Sequence, residues 1–380
     1  MLWRTGTRHK PNCGEEPLRS GDARPKSLLQ FFQMSKASII QGEKMKKRFL
    51  ISLTILALFG TGLPCQETVP LKLVQTFQLS PQVKGNFDHF GIDLKGGRLF
   101  ATPEGYHAVV VFDLKTGKLV HKIDGIGKPH AVLYREDLNR IYVTDGDAGD
   151  LKIFDGTTYG LVSSVKLLED ADSIGYDPAT KYLYIDNGGG DVHQTFSMLS
   201  VVDTTAGEKL ADLKIDGETL EAMTLEKSTS KMYVNNRSKN QVSVVDRQKR
   251  ELVASWPVTL CKNNVAMALD ETNHRLFVAC RTGQIAVLDT QTGKEVTSFP
   301  ITKGVDDITY DAANKRVYAA CDGAVDIYQQ SGPDSYKLVG NISTGPMGRT
   351  ARLVPELKRY FVAVPQHGTT SAEVLVFEVL

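Results

Sequence analysis

The chain has 380 residues, 41% of them hydrophobic, and a formal charge of +1, enough for a large core and ordinary for a soluble protein. The near-neutral total hides an uneven distribution: residues 1–65 hold 11 Lys and Arg against 4 Asp and Glu, and the remainder holds 34 bases and 40 acids, a net −6. On that balance a polyanionic partner such as nucleic acid is disfavoured.

Met1–Lys44 is basic and has no hydrophobic periodicity. It reads as translated upstream sequence rather than a structured part, because Gly42-Glu43-Lys44 can be encoded by a stretch that contains a ribosome-binding sequence just before Met45. From Met45 the chain carries basic Lys46, Lys47 and Arg48, an apolar run from Phe49 to Leu58, and then small residues. That layout is a bacterial secretory signal peptide over residues 45–65. The apolar run falls short of the roughly 20 residues that a stable membrane span needs. In Gly62-Leu63-Pro64-Cys65 the position three before the cysteine is not the apolar residue of a lipoprotein signal. Simple cleavage within 60–66 is therefore expected over lipid anchoring at Cys65. The expected product is periplasmic or extracellular, with no transmembrane span in the mature chain.

Residues 66–380 repeat themselves. "YVTD" at Tyr142 returns as "YIDN" at Tyr184, "YVNN" at Tyr233, "FVAC" at Phe277 and "YAAC" at Tyr318. With Phe100 and Phe361 the leading aromatics are spaced by 42, 42, 49, 44, 41 and 43 residues. Such a period marks a repeat architecture. Each unit holds four short runs of strand composition. In the fifth unit they are 265–269, 275–280, 284–289 and 295–301, separated by "DETNH", "RTG" and "TQTGK". Four strands without helical periodicity make the blade of a β-propeller, and seven second strands make seven blades. The third strands end on a recurrent Asp: Asp113, Asp155, Asp203, Asp246 and Asp289. The seventh unit reaches Leu380 with only three strands. "LVQTFQL" (73–79) resembles the fourth strands "LVSSVKL" (162–168) and "LVASWPV" (252–258). The expected fold is an all-β, seven-bladed propeller whose last blade is closed by the N-terminal strand.

The phrases "YVTD" and "YVNN" and the "VSVVD" third strand resemble the YVTN repeat family of seven-bladed β-propellers, commonly exported bacterial proteins. The resemblance spans about residues 70–380 and is specific for fold. It implies a periplasmic or cell-surface binding protein. Wider relatives include lactonases, a metal-dependent lyase and subunits of redox enzymes. WD repeats fit less well, since Trp3 and Trp256 are the only tryptophans.

The first strand of a propeller blade lines the central channel. Twelve residues before each leading aromatic stand Asp88, His130, Asp172, Glu221, Val265, Asp306 and Arg349. Asn264 precedes the one apolar member. One position further along are His89 and Asp307, and beyond them the series turns apolar. A ring of carboxylates around one opening needs compensation. A cation, a cationic ligand or Arg349 would supply it. Asp88, His130, Glu221, Asn264 and Asp306 are the candidate metal ligands. Their oxygens suit Ca²⁺ or Mg²⁺, and His130 and His89 broaden the choice towards Zn²⁺ or Mn²⁺. His107, His193 and His367 sit in loops between second and third strands, on the same side as the ring. The loops of His193 and His367 are extended, which marks this face as the functional one.

No G-x-S-x-G elbow, H-E-x-x-H, phosphate loop or C-x-x-C-H site occurs, so a binding or scaffold role fits better than catalysis. The expected partner is a small molecule, peptide or protein held at the channel mouth by a monomer that requires no cofactor to fold. The rival is a lactonase- or lyase-type hydrolase whose divalent metal works with His89 or His130 as general base. Cys261 and Cys280 flank one blade on one side, so a disulfide between them is open. Cys280 and Cys321 hold equivalent places in adjacent, splayed blades, outside the roughly 7 Å bridging limit. N-terminal sequencing of the native protein is expected to place the mature start within residues 60–66, and any mature peptide from residues 1–44 would overturn the assignment of Met45.

Overall fold

The computed structural model describes residues 69–380. The upstream segment, the signal peptide and Cys65 lie outside the described residues. The described chain forms seven four-stranded antiparallel sheets arranged as a seven-bladed β-propeller. Among the described residues no helix is long and apolar enough to cross a membrane.

Blade 5 shows how the sequence becomes a sheet. Its strands are Asn264–Asp270, Arg275–Cys280, Gln284–Asp289 and Glu295–Pro300, paired in chain order. The turns between third and fourth strands are made by the recurrent Asp. Asp155 Oδ1 accepts from the backbone N–H groups of Thr157 and Thr158 at 3.0 and 2.9 Å. Asp203, Asp246 and Asp289 repeat the same pair of bonds. The carboxylate satisfies donors that the ladder leaves free and so fixes the reversal.

The leading aromatics hold the blades to one another. Phe100, Tyr142, Tyr184, Tyr233, Phe277, Tyr318 and Phe361 are all no more than 2% exposed. Each packs on the following blade. Phe100 meets Ile141 and Phe154, Tyr142 meets Leu183 and Val202, and Tyr184 meets Met232 and Val245. Tyr233 meets Leu276, and Phe277 meets Val317 and Tyr328. Tyr318 meets Tyr360, and Phe361 meets Leu99 and Phe112 across the closure. The small residue two places on, as at Ala279 and Ala320, is also fully buried and lets the next inner strand come close.

The ring closes where the sequence runs short. Leu71–Gln78 is the outermost strand of blade 7 and pairs antiparallel with Glu373–Val379, from Leu71 opposite Val379 to Gln78 opposite Glu373. Phe77 is 1% exposed, and its ring centroid lies 5.4 Å from that of Phe112 and 6.2 Å from that of Phe361. One side chain thus ties both chain ends to blade 1.

Every outermost strand has an irregularity that leaves one apolar residue without a ladder partner. These are Val74, Val120, Val162, Leu210, Val253, Val296 and Val339. A bulge there twists the free edge away from regular pairing, which protects it from edge-to-edge addition.

Cys261 and Cys280 form a disulfide, with Cα atoms 6.0 Å apart. It ties the segment before the first strand of blade 5 to the end of its second strand. Cys321 is a buried free thiol, and burial pushes its ionisation up, so it is a small core residue rather than a nucleophile. Phe77→Ala is expected to lower unfolding free energy by about 3–5 kcal/mol, read by denaturant titration. A loss under 1 kcal/mol would show that closure does not depend on this contact.

Candidate functional site

The first strands enter the channel from one side, and their leading residues meet in a mouth pocket of about 320 Å³. Asp88 and His89 come from blade 1, His130 from blade 2, Asp172 from blade 3 and Glu221 from blade 4. Val265, Asp306 and Arg349 complete the circle from blades 5, 6 and 7. Below it the channel turns apolar, with Phe90, Val132, Ile174, Met223, Met267 and Ala351 around a second cavity. His89, Ser173 and Ala222 line both compartments and form the neck. The ring nitrogens of His89, the titratable groups there, lie 3.4 Å from Asp88 and 3.3 Å from Asp307. Asp307 faces the lower compartment and accepts from the Ala351 N–H at 2.8 Å.

Other expected residues stand apart. Asn264 is fully buried between blades, and its amide donates to Asn235 Oδ1 at 2.8 Å and to the Gln241 carbonyl at 3.1 Å. The ladder of blade 5 shifts register just after it, which turns Asn264 into the interface and gives Val265 the channel position. His107, His193 and His367 do not line the mouth pocket. They lie on loops between second and third strands. His107 bonds the Gly127 carbonyl, and His367 bonds that of Pro365.

The sequence reading missed a second tier. Glu104, Arg237 and Arg281 also line the mouth, and each stands four residues after a leading aromatic. The same count lands on Gly146 in blade 2. A Cβ there would come 2.7 Å from His130 Nε2, so glycine makes room for that imidazole. Lys128 and Asp170 form a third tier, two residues before His130 and Asp172.

The charges are segregated. On blades 1–3 three carboxylates converge on one nitrogen. His130 Nδ1 is 2.5 Å from Asp88 Oδ2, 3.5 Å from Asp172 Oδ1 and 3.6 Å from Glu104 Oε1. On blades 4–7 guanidinium groups dominate. Arg281 and Arg349 share Asp306 at 2.6 and 3.2 Å, and Arg237 pairs with Glu221 at 2.9 Å.

Protonation follows from this crowding. Burial disfavours the imidazolium of His130, but Asp172 and the hydrogen bond that His130 donates to Asp88 outweigh it and raise its pKa to about 10. Burial likewise opposes the charge on Asp88, yet His89 and His130 hold its carboxyl at about 2. Asp172 goes the other way. Burial raises it to about 7, with His130 opposing and Asp88 adding repulsion. Burial also lifts Glu104, Asp170, Glu221 and Asp306. Asp186, at the second-strand position held by Thr144 in blade 2, is buried and pushed well up by burial and by Asp172. The acidic arc can therefore take up a proton or a cation, and the guanidinium arc offers donors to an anionic or carbonyl group.

No family model matches the chain. Two curated relatives, each called uncharacterized protein YncE, come from Salmonella typhimurium strain LT2 and Salmonella typhi. Both are 29% identical over 167 residues, covering 43% of this chain and 45% of the relative. The matched region thus spans under half the length of those relatives. Among solved structures, Kuenenia stuttgartiensis hydrazine synthase is 16% identical with a TM-score of 0.62, over 74% of this chain and 93% of that one. U3-55K is 10% identical with a TM-score of 0.65, over 82% and 99%. The chain is thus a seven-bladed propeller and a distant relative of YncE, and the structural likenesses show the fold alone.

Asp172 sets a testable pH dependence. Its folded pKa of about 7 lies above the roughly 3.9 of an unfolded aspartate. Its contribution to stability is therefore full in acid and is lost as pH rises from about 4 to about 7. Asp172→Asn removes that loss. In EDTA the melting temperature of the variant is expected to gain on the wild type across this window and then to level off. A difference that stays constant from pH 4 to 7 would contradict the assignment.

Proposed function

We propose that this is an exported binding protein of the YVTN-repeat propeller type, whose ligand is a small polar molecule or the end of a peptide or protein seated in the channel mouth. The observation that carries the reading is the mouth itself. All seven blades send a residue to one pocket of about 320 Å³, and a rigid ring holds those groups in place without a ligand-induced rearrangement. Arg281 and Arg349 offer guanidinium donors from one side, and Asp88, Glu104 and Asp172 offer acceptors from the other. A ligand with both acidic and basic groups would pair with both arcs. Export is supported by the basic and apolar pattern of residues 45–65 and by the Cys261–Cys280 disulfide, which suits an oxidising compartment.

A second reading is a divalent-metal-dependent lactonase- or lyase-type enzyme in the same channel. The convergence of Asp88, His130 and Asp172 favours it. The binding reading ranks first because it uses groups from all seven blades, whereas the cluster draws on three.

Thermal-shift screening of polar metabolites and short peptides tests the proposal. A ligand at 100 times its Kd adds about 2.7 kcal/mol of stability, a shift of several degrees. The shift is expected to vanish in Arg281→Ala and Arg349→Ala, with an unchanged circular dichroism spectrum. A full shift retained in both variants would remove the mouth as the binding site.

A further inference from the structure

His130 lies in the first strand of blade 2, Asp88 and Asp172 stand just before the first strands of blades 1 and 3, and Glu104 comes from the turn after the second strand of blade 1. Asp88, His130 and Asp172 each offer a ligand atom, and those atoms all lie within 4.8 Å of one another. We propose that this cluster, closed by Glu104, is a binding site for a divalent transition-metal ion of the Mn²⁺ or Zn²⁺ class. The site deepens the channel-mouth reading and rests on it only for location.

The spacing is the first argument. His130 Nδ1 lies 3.5 Å from Asp172 Oδ1 and 3.6 Å from Glu104 Oε1. Those separations are too long for hydrogen bonds. They match the edges of a coordination polyhedron, since metal–ligand distances of about 2.0–2.2 Å place neighbouring donors about 3.0–3.5 Å apart. Asp88 Oδ2, at 2.5 Å from the same nitrogen, joins the set by a small side-chain turn.

Orphaned buried atoms are the second argument. Asp172 Oδ1 is inaccessible and has no hydrogen-bond partner among the described residues. A buried carboxylate oxygen without a donor is unfavourable unless something else satisfies it. The His130 side chain is 4% exposed, and its Nε2 likewise has no partner among the described residues. The ring backs onto Gly146, where even a Cβ would come within 2.7 Å of Nε2. The imidazole is thus wedged with Nδ1 towards the carboxylates, which is the preorganisation a metal ligand needs.

Charge and donor type select the ion. Three carboxylates around one imidazole leave a net deficit of positive charge even with the ring protonated, and a dication that displaces the Nδ1 proton to solvent reduces it. One nitrogen with two or three carboxylate oxygens suits Mn²⁺ or Zn²⁺. Ca²⁺ prefers six to eight oxygens, and a wedged imidazole at the centre of the set is a poor fit for it. All four side chains border the mouth pocket, so a bound ion would present an open coordination position to a ligand there.

The test uses the full chain, stripped with EDTA and titrated with MnCl₂ and ZnCl₂ alone. Calorimetry and the loss of the free Mn²⁺ paramagnetic resonance signal read the binding. One equivalent is expected to bind in the wild type, at least tenfold weaker in Asp172→Asn and within twofold in Glu218→Gln, an exposed carboxylate on the same face. If Asp172→Asn does not fold by circular dichroism, Glu104→Gln gives the same reading. Failure of both ions to bind the wild type, or unweakened binding in the folded variant, overturns the site. A ligand shift abolished by Arg349→Ala in protein that binds no metal removes the metal site and leaves the ligand site standing. Metal binding without any such ligand does the reverse.

Discussion

Everything in this molecule depends on the pairing of Leu71–Gln78 with Glu373–Val379. A propeller blade cannot bury both of its faces alone. Each leading aromatic finds its partner on the next blade, so an open arc would leave one such face in water. The antiparallel ladder between the chain ends removes that seam. Phe77 then adds packing between Phe361 of the last blade and Phe112 of the first. The hydrogen bonds set the register, and the apolar contact supplies much of the free energy.

Closure also creates the site. Seven inner strands that must converge on one axis bring their leading residues together whether or not those residues attract. The ring therefore holds several carboxylates at separations they would avoid in solution. Burial pushes Asp172, Glu221 and Asp306 towards the neutral form. Local cations relieve part of the strain: Arg281 and Arg349 at Asp306, Arg237 at Glu221. On the other arc the relief falls to His89 and His130, and three carboxylates crowd a single nitrogen of His130. The two arcs thus differ in kind. One is neutralised internally, and the other retains an unmet demand for positive charge.

The same geometry explains which side chains reach the channel. Within a blade the strands run outward in order, so a residue at the start of the first strand faces the axis. From the loop between second and third strands Glu104, Asp191, Arg237 and Arg281 also reach the mouth, whereas His193 and His367, on the same side, do not line it. Asn264 misses it through a local register shift that turns its amide into the interface between blades 4 and 5.

Periodicity alone determined the fold. The 41- to 49-residue spacing of the aromatics, the recurrent Asp at the end of the third strand and the displaced fourth strand at 73–79 are local patterns, and local patterns survive in one dimension. The same count located Asp88, His130, Asp172, Glu221, Asp306 and Arg349, because a fixed offset in a repeat is a fixed place in the ring. The position four residues after each aromatic was equally countable and holds Glu104, Arg237 and Arg281, but nothing in the chain says that the turn after a second strand leans back over the axis. Only the tertiary structure decided which ring members touch. That Asp88, Glu104 and Asp172 crowd one nitrogen of His130, that Asp306 is shared by two arginines, and that Cys261 meets Cys280 all depend on side-chain direction and blade tilt. Those quantities are set by packing across the interfaces, and no spacing along the chain encodes them.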